Sequence, residues 1–264
     1  MIRFNKYDKR LSDPVEKEVM YMQFESLSKE KSLIHRVFTR REGVSERPFE
    51  SLNISFSVGD DTRRVEKNLQ IIKNNMGADR LLFMEQVHGD NIISINMEAD
   101  KPLLSDYKGD ALITNIPYTT LMIKQADCQG IILFDRTRNV LAVVHSGWRG
   151  STINIIGKVV RRMMEEYKCD PSQIKAAIGP SLGPCCAEFV SYREIFPASF
   201  QTHMVKDNYF NLWDLSITQL LRSGLRQENI ETSGICTKCN SHLFFSYRGE
   251  GTTGRFATAA MITG

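Results

Sequence analysis

Apolar residues recur along this chain in short blocks separated by turn residues. Blocks at 81–83, 91–95, 111–114, 120–123, 130–134, 140–145, 174–178, 243–247 and 256–262 have strand length. Asp135-Arg136-Thr137-Arg138-Asn139 reads as a hairpin loop between two of them. Three stretches instead follow helical spacing. The first opens at Thr62 as its cap, carries Val65, Leu69 and Ile72, and stops at Gly77. The second spans 151–167, with Ile153, Ile156, Val160, Met163, Met164 and Tyr167 on one face. The third runs from Asp214 as cap to Arg222, with Gly224 just beyond. Residues up to Ser32 are charged and loosely patterned, and a short helix or strand pair is expected there. Strands outnumber helices and do not alternate with them strictly. The expected fold is therefore α+β: a single domain of mixed sheets flanked by helices, with residues 1–33 as an extension packed on a domain of 34–264.

Composition narrows the function classes. The net charge is only +3, too weak a field to argue for nucleic acid. No apolar run is long enough to span a bilayer. Met1-Ile2-Arg3-Phe4-Asn5-Lys6 has no apolar core after its basic start, so the expected compartment is the reducing cytoplasm. Six cysteines in 264 residues are too few for a disulfide scaffold, so free thiols, ligands or nucleophiles are expected.

Three soft or borderline ligands fall where strands give way to turns: His88, Cys128 and His145. Two imidazoles and a thiolate suit zinc, and three protein donors leave one position open for water or substrate. Spacing alone favours a buried cysteine and two hydrogen-bonded turn histidines, because the three residues are scattered along the chain. Cys236 and Cys239 have Cys-x-x-Cys spacing, but no second such pair is present, so they read as free or redox thiols rather than a structural zinc site. The vicinal pair Cys185-Cys186 closes a turn-rich loop suited to backing a pocket. Arg149 stands at the start of a helix, a good seat for an anion. Arginines and hydroxyls also sit beside glycine turns at 39–45, 246–248 and 253–255, where a solvated basic loop is the plainer reading.

Taken in order, the stretches Thr39-Arg40 to Gly43-Val44-Ser45, Ser51-Leu52-Asn53, Gln86-Val87-His88-Gly89, Asp110 to Thr114, Ala126-Asp127-Cys128, Val144-His145-Ser146-Gly147-Trp148-Arg149-Gly150, Ile178-Gly179-Pro180 to Cys185-Cys186, Cys236-Thr237, Phe245-Ser246-Tyr247-Arg248 and Thr253-Gly254-Arg255 carry a resemblance. Together they resemble the laccase-domain family, also called multicopper polyphenol oxidoreductases of YfiH type. The resemblance covers about residues 34–262. It implies zinc on His88, Cys128 and His145, and a substrate or phosphate pocket that includes Arg40, Ser45 and Asn53. This chain departs from the family pattern at Glu42, where a glycine is usual, at Gln129-Gly130 after the cysteine, and at Ser146.

The activity implied is purine nucleoside phosphorylase with adenosine deaminase activity. The substrates would be adenosine, inosine, guanosine and methylthioadenosine, together with phosphate. The enzyme would be a cytoplasmic monomer or homodimer without nucleic-acid or membrane partners. Asp127 is the candidate proton shuttle, with Glu85 second, and Arg149 a catalytic anion binder. Two other readings stand beside it. A copper-dependent polyphenol oxidase could use the same two histidines and cysteine. Only His35, His203 and His242 would then remain, too few for a trinuclear oxygen-reducing centre. A non-catalytic zinc-binding module is the third.

Overall fold

The structure, a computed structural model, describes residues 3–5, 19–95 and 107–264. Its strands are β1 (Arg3–Asn5), β2 (Tyr21–Gln23), β3 (Leu33–Phe38), β4 (Arg80–Leu82), β5 (Ile92–Ile95), β6 (Ala111–Thr114), β7 (Thr119–Gln125), β8 (Gln129–Asp135), β9 (Val140–Ser146), β10 (Ile174–Ile178), β11 (Met204–Lys206), β12 (Tyr209–Phe210), β13 (Ile230–Thr232) and β14 (Phe256–Ile262). The α-helices are α1 (Glu25–Ser28), α2 (Thr62–Met76), α3 (Trp148–Thr152), α4 (Ile155–Tyr167), α5 (Tyr192–Ile195), α6 (Leu212–Arg222) and α7 (Tyr247–Glu250).

Two six-stranded sheets carry the fold. One has the order β1-β2-β3-β14-β7-β4, the other β13-β10-β8-β9-β6-β5, and β11 and β12 form a separate ribbon. Both large sheets are mixed, with parallel pairs β4–β7, β5–β6 and β10–β13 among antiparallel ones.

Alternation along the strands shows how the layers stack. Leu121, Ile123 and Ala260 of the first sheet share a core with Ile132, Phe134, Leu141 and Val143 of the second. Their neighbours point the other way. Met122, Ala257 and Ala259 pack on Val65, Leu69 and Ile72 of α2. Ile131, Leu133, Ala142 and Val144 pack on Ile155, Ile156 and Val159 of α4 and Leu220 of α6. The result is helix, sheet, sheet, helix. Each central strand is covered on both faces, which is why β8 and β9 read as continuous apolar runs rather than alternating ones. Among the described residues, no helix is long and apolar enough to cross a membrane.

Several local expectations are corrected. The long helix at 151–167 is two helices, because Asn154 adopts a left-handed backbone (φ 53°) and caps α4 by accepting the Gly157 N–H. Ile153, at the break, and Met164, on α4, are exposed, and Val159 is buried instead. The third helix starts one turn earlier than expected, with Asn211 as cap; Asp214 lies inside it and accepts from His203 Nδ1. The block at 243–247 is not a strand. Asn240 N–H closes on Cys236 O, and Leu243 and Phe244 N–H close on Asn240 O, so this backbone turns on itself and buries Phe244 and Phe245 in the central core. The N-terminal stretch forms both of its expected elements: β1 pairs with β2, and α1 follows.

The cap of α2 is Asp61, which accepts from the N–H groups of Arg63 and Arg64, not Thr62. Asp61→Ala should therefore lower stability by about 1 kcal/mol in urea unfolding, while Thr62→Ala should shift it by a few tenths at most. Equal losses from the two variants would contradict this assignment.

Candidate metal centre and active site

The register of β8 and β9 places the first two candidate ligands together. Gly130 pairs with His145 and Gln129 with Ser146, so Cys128, one residue before β8, lies beside the end of β9. Residues 126–128 are also where the chain leaves the first sheet and enters the second. Asp127 makes that turn with φ 85°. The third candidate ligand comes from the loop after β4, where His88 adopts φ 58°. Such left-handed, non-glycine backbone concentrates at functional sites. Gly147 leaves room for the close approach: a Cβ there would stand 2.7 Å from Cys128 Sγ and 3.5 Å from the His88 ring.

Asp110, one residue before β6, holds this arrangement. It is fully buried. Its carboxylate accepts from the N–H groups of His88 (3.0 Å), Gly89 (2.7 Å) and Val87 (3.3 Å), and pairs with His145 Nδ1 at 2.8 Å. Its carbonyl also accepts the His145 N–H. His145 is thereby left with Nε2 as its ligand atom, and His88 Nε2 lies 3.9 Å from Cys128 Sγ. One donor atom each from His88, Cys128 and His145 lies within 4.8 Å of the others. Donor type, spacing and a carboxylate behind one histidine together fit a metal of zinc's preferences.

Electrostatics agree with the geometry. Burial alone would raise the Cys128 thiol, but His145 and His88 outweigh it and bring it to about 6. Burial alone would lower the His145 imidazolium, but Cys128 and Asp110 outweigh it and hold it at about 9. Burial likewise pulls the Lys124 ammonium down to about 8.

The trio opens into a cavity of about 730 Å³. Arg149, Arg248, Arg255 and Lys124 line it, together with the rings of Phe56, Phe83, Phe189 and Tyr247. Arg149 lies over the Trp148 ring at 4.5 Å, in the first turn of α3. Glu85 also lines the cavity and is 3.9 Å from Lys108. Asp127 lines it too, but its oxygens accept from Thr237 Oγ1 (2.6 Å), Ser246 Oγ (2.7 Å) and the Arg248 N–H (2.6 Å).

Arg40, Ser45 and Asn53 stand behind the cavity rather than on its wall. Arg40 pairs with Glu250 at 2.7 Å and donates to the carbonyls of Glu50 and Ser241. Ser45 Oγ donates to Asp60. Asn53 is buried and its Oδ1 accepts the Arg255 N–H. The unusual Glu42 adopts the left-handed backbone that a glycine there would suit, and its carboxylate accepts the Met20 N–H. Gln129 is bound by Ser216 Oγ and donates to Leu212 O, so it ties β8 to α6.

Two features lay beyond the sequence. Asp110 belonged to a recognised stretch, yet nothing in its spacing marked it as the partner of His145. The view that Cys236 and Cys239 lack a second pair is overturned, because Cys185 and Cys186 stand next to them. Of the remaining histidines, His35 accepts the Phe24 N–H and His203 is bound to Asp214. Neither they nor His242 join a cluster of three candidate ligands among the described residues.

In metal-free protein, alkylation of Cys128 by iodoacetamide should have its half-point near pH 6, and zinc should block it. Asp110→Asn should weaken zinc binding about 10- to 100-fold in chelator competition while the fold is retained. An unchanged affinity would show that Asp110 does not act through His145.

Comparison with known proteins fits this picture. A purine nucleoside phosphorylase of Bacteroides thetaiotaomicron is 28% identical over 269 residues, covering 94% of this chain and 98% of that protein. The purine nucleoside phosphorylase YfiH of Shigella flexneri is 32% identical, covering 83% of this chain and 90% of that one. The crystal structure of YlmD from Geobacillus stearothermophilus superposes with a TM-score of 0.82 at 27% identity, covering 92% and 96%. The family model described as multi-copper polyphenol oxidoreductase laccase matches residues 34–263, and the chain belongs to that family.

Proposed function

We propose that this chain is a zinc-dependent purine nucleoside phosphorylase that also deaminates adenosine. The observation that carries the reading is the His88, Cys128 and His145 cluster on the wall of a cavity with cationic and aromatic sides. The names of the relatives support it. A volume of about 730 Å³ falls within the usual range for small-molecule sites, roughly 300–1,000 Å³.

His88, Cys128 and His145 would hold the zinc, which when bound supplies a Lewis acid at the one position the protein leaves open. Arg149, Arg248, Arg255 and Lys124 give the cavity its positive side, which attracts phosphate. Phe56, Phe189 and Tyr247 offer faces for a purine. In phosphorolysis a phosphate oxygen bonds to C1′ of the ribose as the bond to the purine nitrogen breaks. The electron pair goes to the base, which needs a proton. Lys124, at about 8, carries one at neutral pH and can release it.

Adenosine, inosine, guanosine and methylthioadenosine all present this bond. In deamination, water replaces the C6 amino group and ammonia leaves. Asp127 already accepts three hydrogen bonds, so it acts as a positioning residue rather than a proton shuttle. Glu85 is the remaining carboxylate of the two candidates. Arg40, Ser45 and Asn53 act at one remove. Arg40 steadies Glu250 in α7, and Asn53 fixes the backbone of Arg255.

Metal-replete protein incubated with adenosine and phosphate should yield free adenine and ribose 1-phosphate. Without phosphate it should still yield inosine. If neither product forms, the reading fails. Stoichiometric copper in protein purified without added metal, with oxygen uptake on a phenol, would replace it by the oxidase reading. Arg149→Ala should raise the phosphate KM about tenfold, the order of one lost charge-assisted hydrogen bond. His145→Ala should stay folded and lose activity, whereas a purely structural zinc module would unfold.

A further inference from the structure

Cys185 and Cys186 lie in the loop that leaves β10, and Cys236 and Cys239 in the loop that leaves β13. Strands β10 and β13 are parallel neighbours, with Ile178 opposite Thr232, so both loops depart from the same end of one sheet edge. They stay paired beyond the strands. Ser181 bridges Cys236, the Ser181 N–H donates to Ile235 O, and the Thr237 N–H donates to Ser181 O. That pairing brings together cysteines about fifty residues apart.

All four sulfurs lie within 4.8 Å of one another. Cys239 Sγ is 3.6 Å from Cys185 Sγ and 3.5 Å from Cys186 Sγ. A disulfide is about 2.05 Å long, so these thiols are unbonded. Tetrahedral zinc at about 2.3 Å from each sulfur spaces its ligands about 3.8 Å apart, within the spread found here.

The surroundings are built for the same arrangement. Residues 236–239 form a tight turn, closed by the Asn240 N–H and Asn240 Nδ2 on Cys236 O. The backbone N–H groups of Cys239 and Gly183 face the Cys236 sulfur. Gly183 admits no side chain, since a Cβ there would stand 2.9 Å from Cys236 Cβ and 2.8 Å from the Trp213 ring.

We propose that Cys185, Cys186, Cys236 and Cys239 form a second metal centre, a closed four-thiolate site for zinc. Binding releases the four thiol protons and leaves no open coordination position, so the centre is structural. Its place gives it a purpose. Thr237, inside the turn, donates to Asp127 Oδ1, and the Leu182 N–H in the other loop donates to Asp127 O. The ion would clasp the two loops that hold Asp127, the residue before Cys128. The assignment does not depend on which reaction the cavity catalyses.

The test uses the full chain, purified and loaded with zinc. Elemental analysis should find about two zinc ions per chain, falling to about one in His88→Ala and to about one in Cys239→Ser. Alkylation read cysteine by cysteine should show Cys185, Cys186, Cys236 and Cys239 protected together by zinc and exposed together by a chelator. This measurement on the wild-type chain decides the matter even if Cys239→Ser does not fold. In His88→Ala, cobalt(II) should retain strong thiolate-to-metal absorption. Four outcomes would overturn the proposal: one zinc per chain that His88→Ala removes, alkylation unchanged by zinc, iron rather than zinc, or a mass two hydrogens lower with Cys239 bridged to Cys185 or Cys186. Absence of phosphorolysis would leave the proposal standing.

Discussion

The buried carboxylate of Asp110 is the constraint on which the site depends. A carboxylate removed from water is costly unless its oxygens are paired. Here three backbone N–H groups and one imidazole do this. The same contacts that satisfy Asp110 fix the left-handed turn at His88 and the orientation of His145. Two candidate ligands on different elements are thus set by one anion. The opposing charge of His145 then lowers the Cys128 thiol, so these two donors share one electrostatic balance.

Much of the fold was legible, for a simple reason. Strands sandwiched between a second sheet and a helix layer are apolar throughout, and β8, β9 and β14 announced themselves as continuous runs. Misreadings arose where one asparagine diverts the backbone, Asn154 by its side chain and Asn240 by its carbonyl. Asn154 breaks a helix whose apolar spacing continues across it, and Asn240 collects N–H groups that a strand would have used outward. Periodicity does not register such local hydrogen bonds.

That His88, Cys128 and His145 belong together was legible by residue type, because histidine and cysteine at strand ends are few in this chain. Asp110 was not, since an aspartate before an apolar run is also an ordinary turn residue. Its role exists only because β6 lies beside β9. The four cysteines were illegible for a similar reason. Only the parallel pairing of β10 with β13 puts the vicinal pair beside the spaced one. Arg40 and Asn53 show the converse: each lies in a recognised motif, yet each is bound to protein groups behind the cavity.

The turn at residues 126–128, where the chain passes from one sheet to the other, also bears on the timing of assembly. His88 follows a strand of the first sheet, Cys128 sits at the crossing, and His145 ends a strand of the second. Cys128 and His145 meet as β8 and β9 pair, but His88 joins them only when both sheets have formed and packed. Contacts this distant in sequence form late, after local ones. The three candidate ligands are therefore complete only on a chain that has already folded, and an ion bound by all three would report that the two sheets have joined.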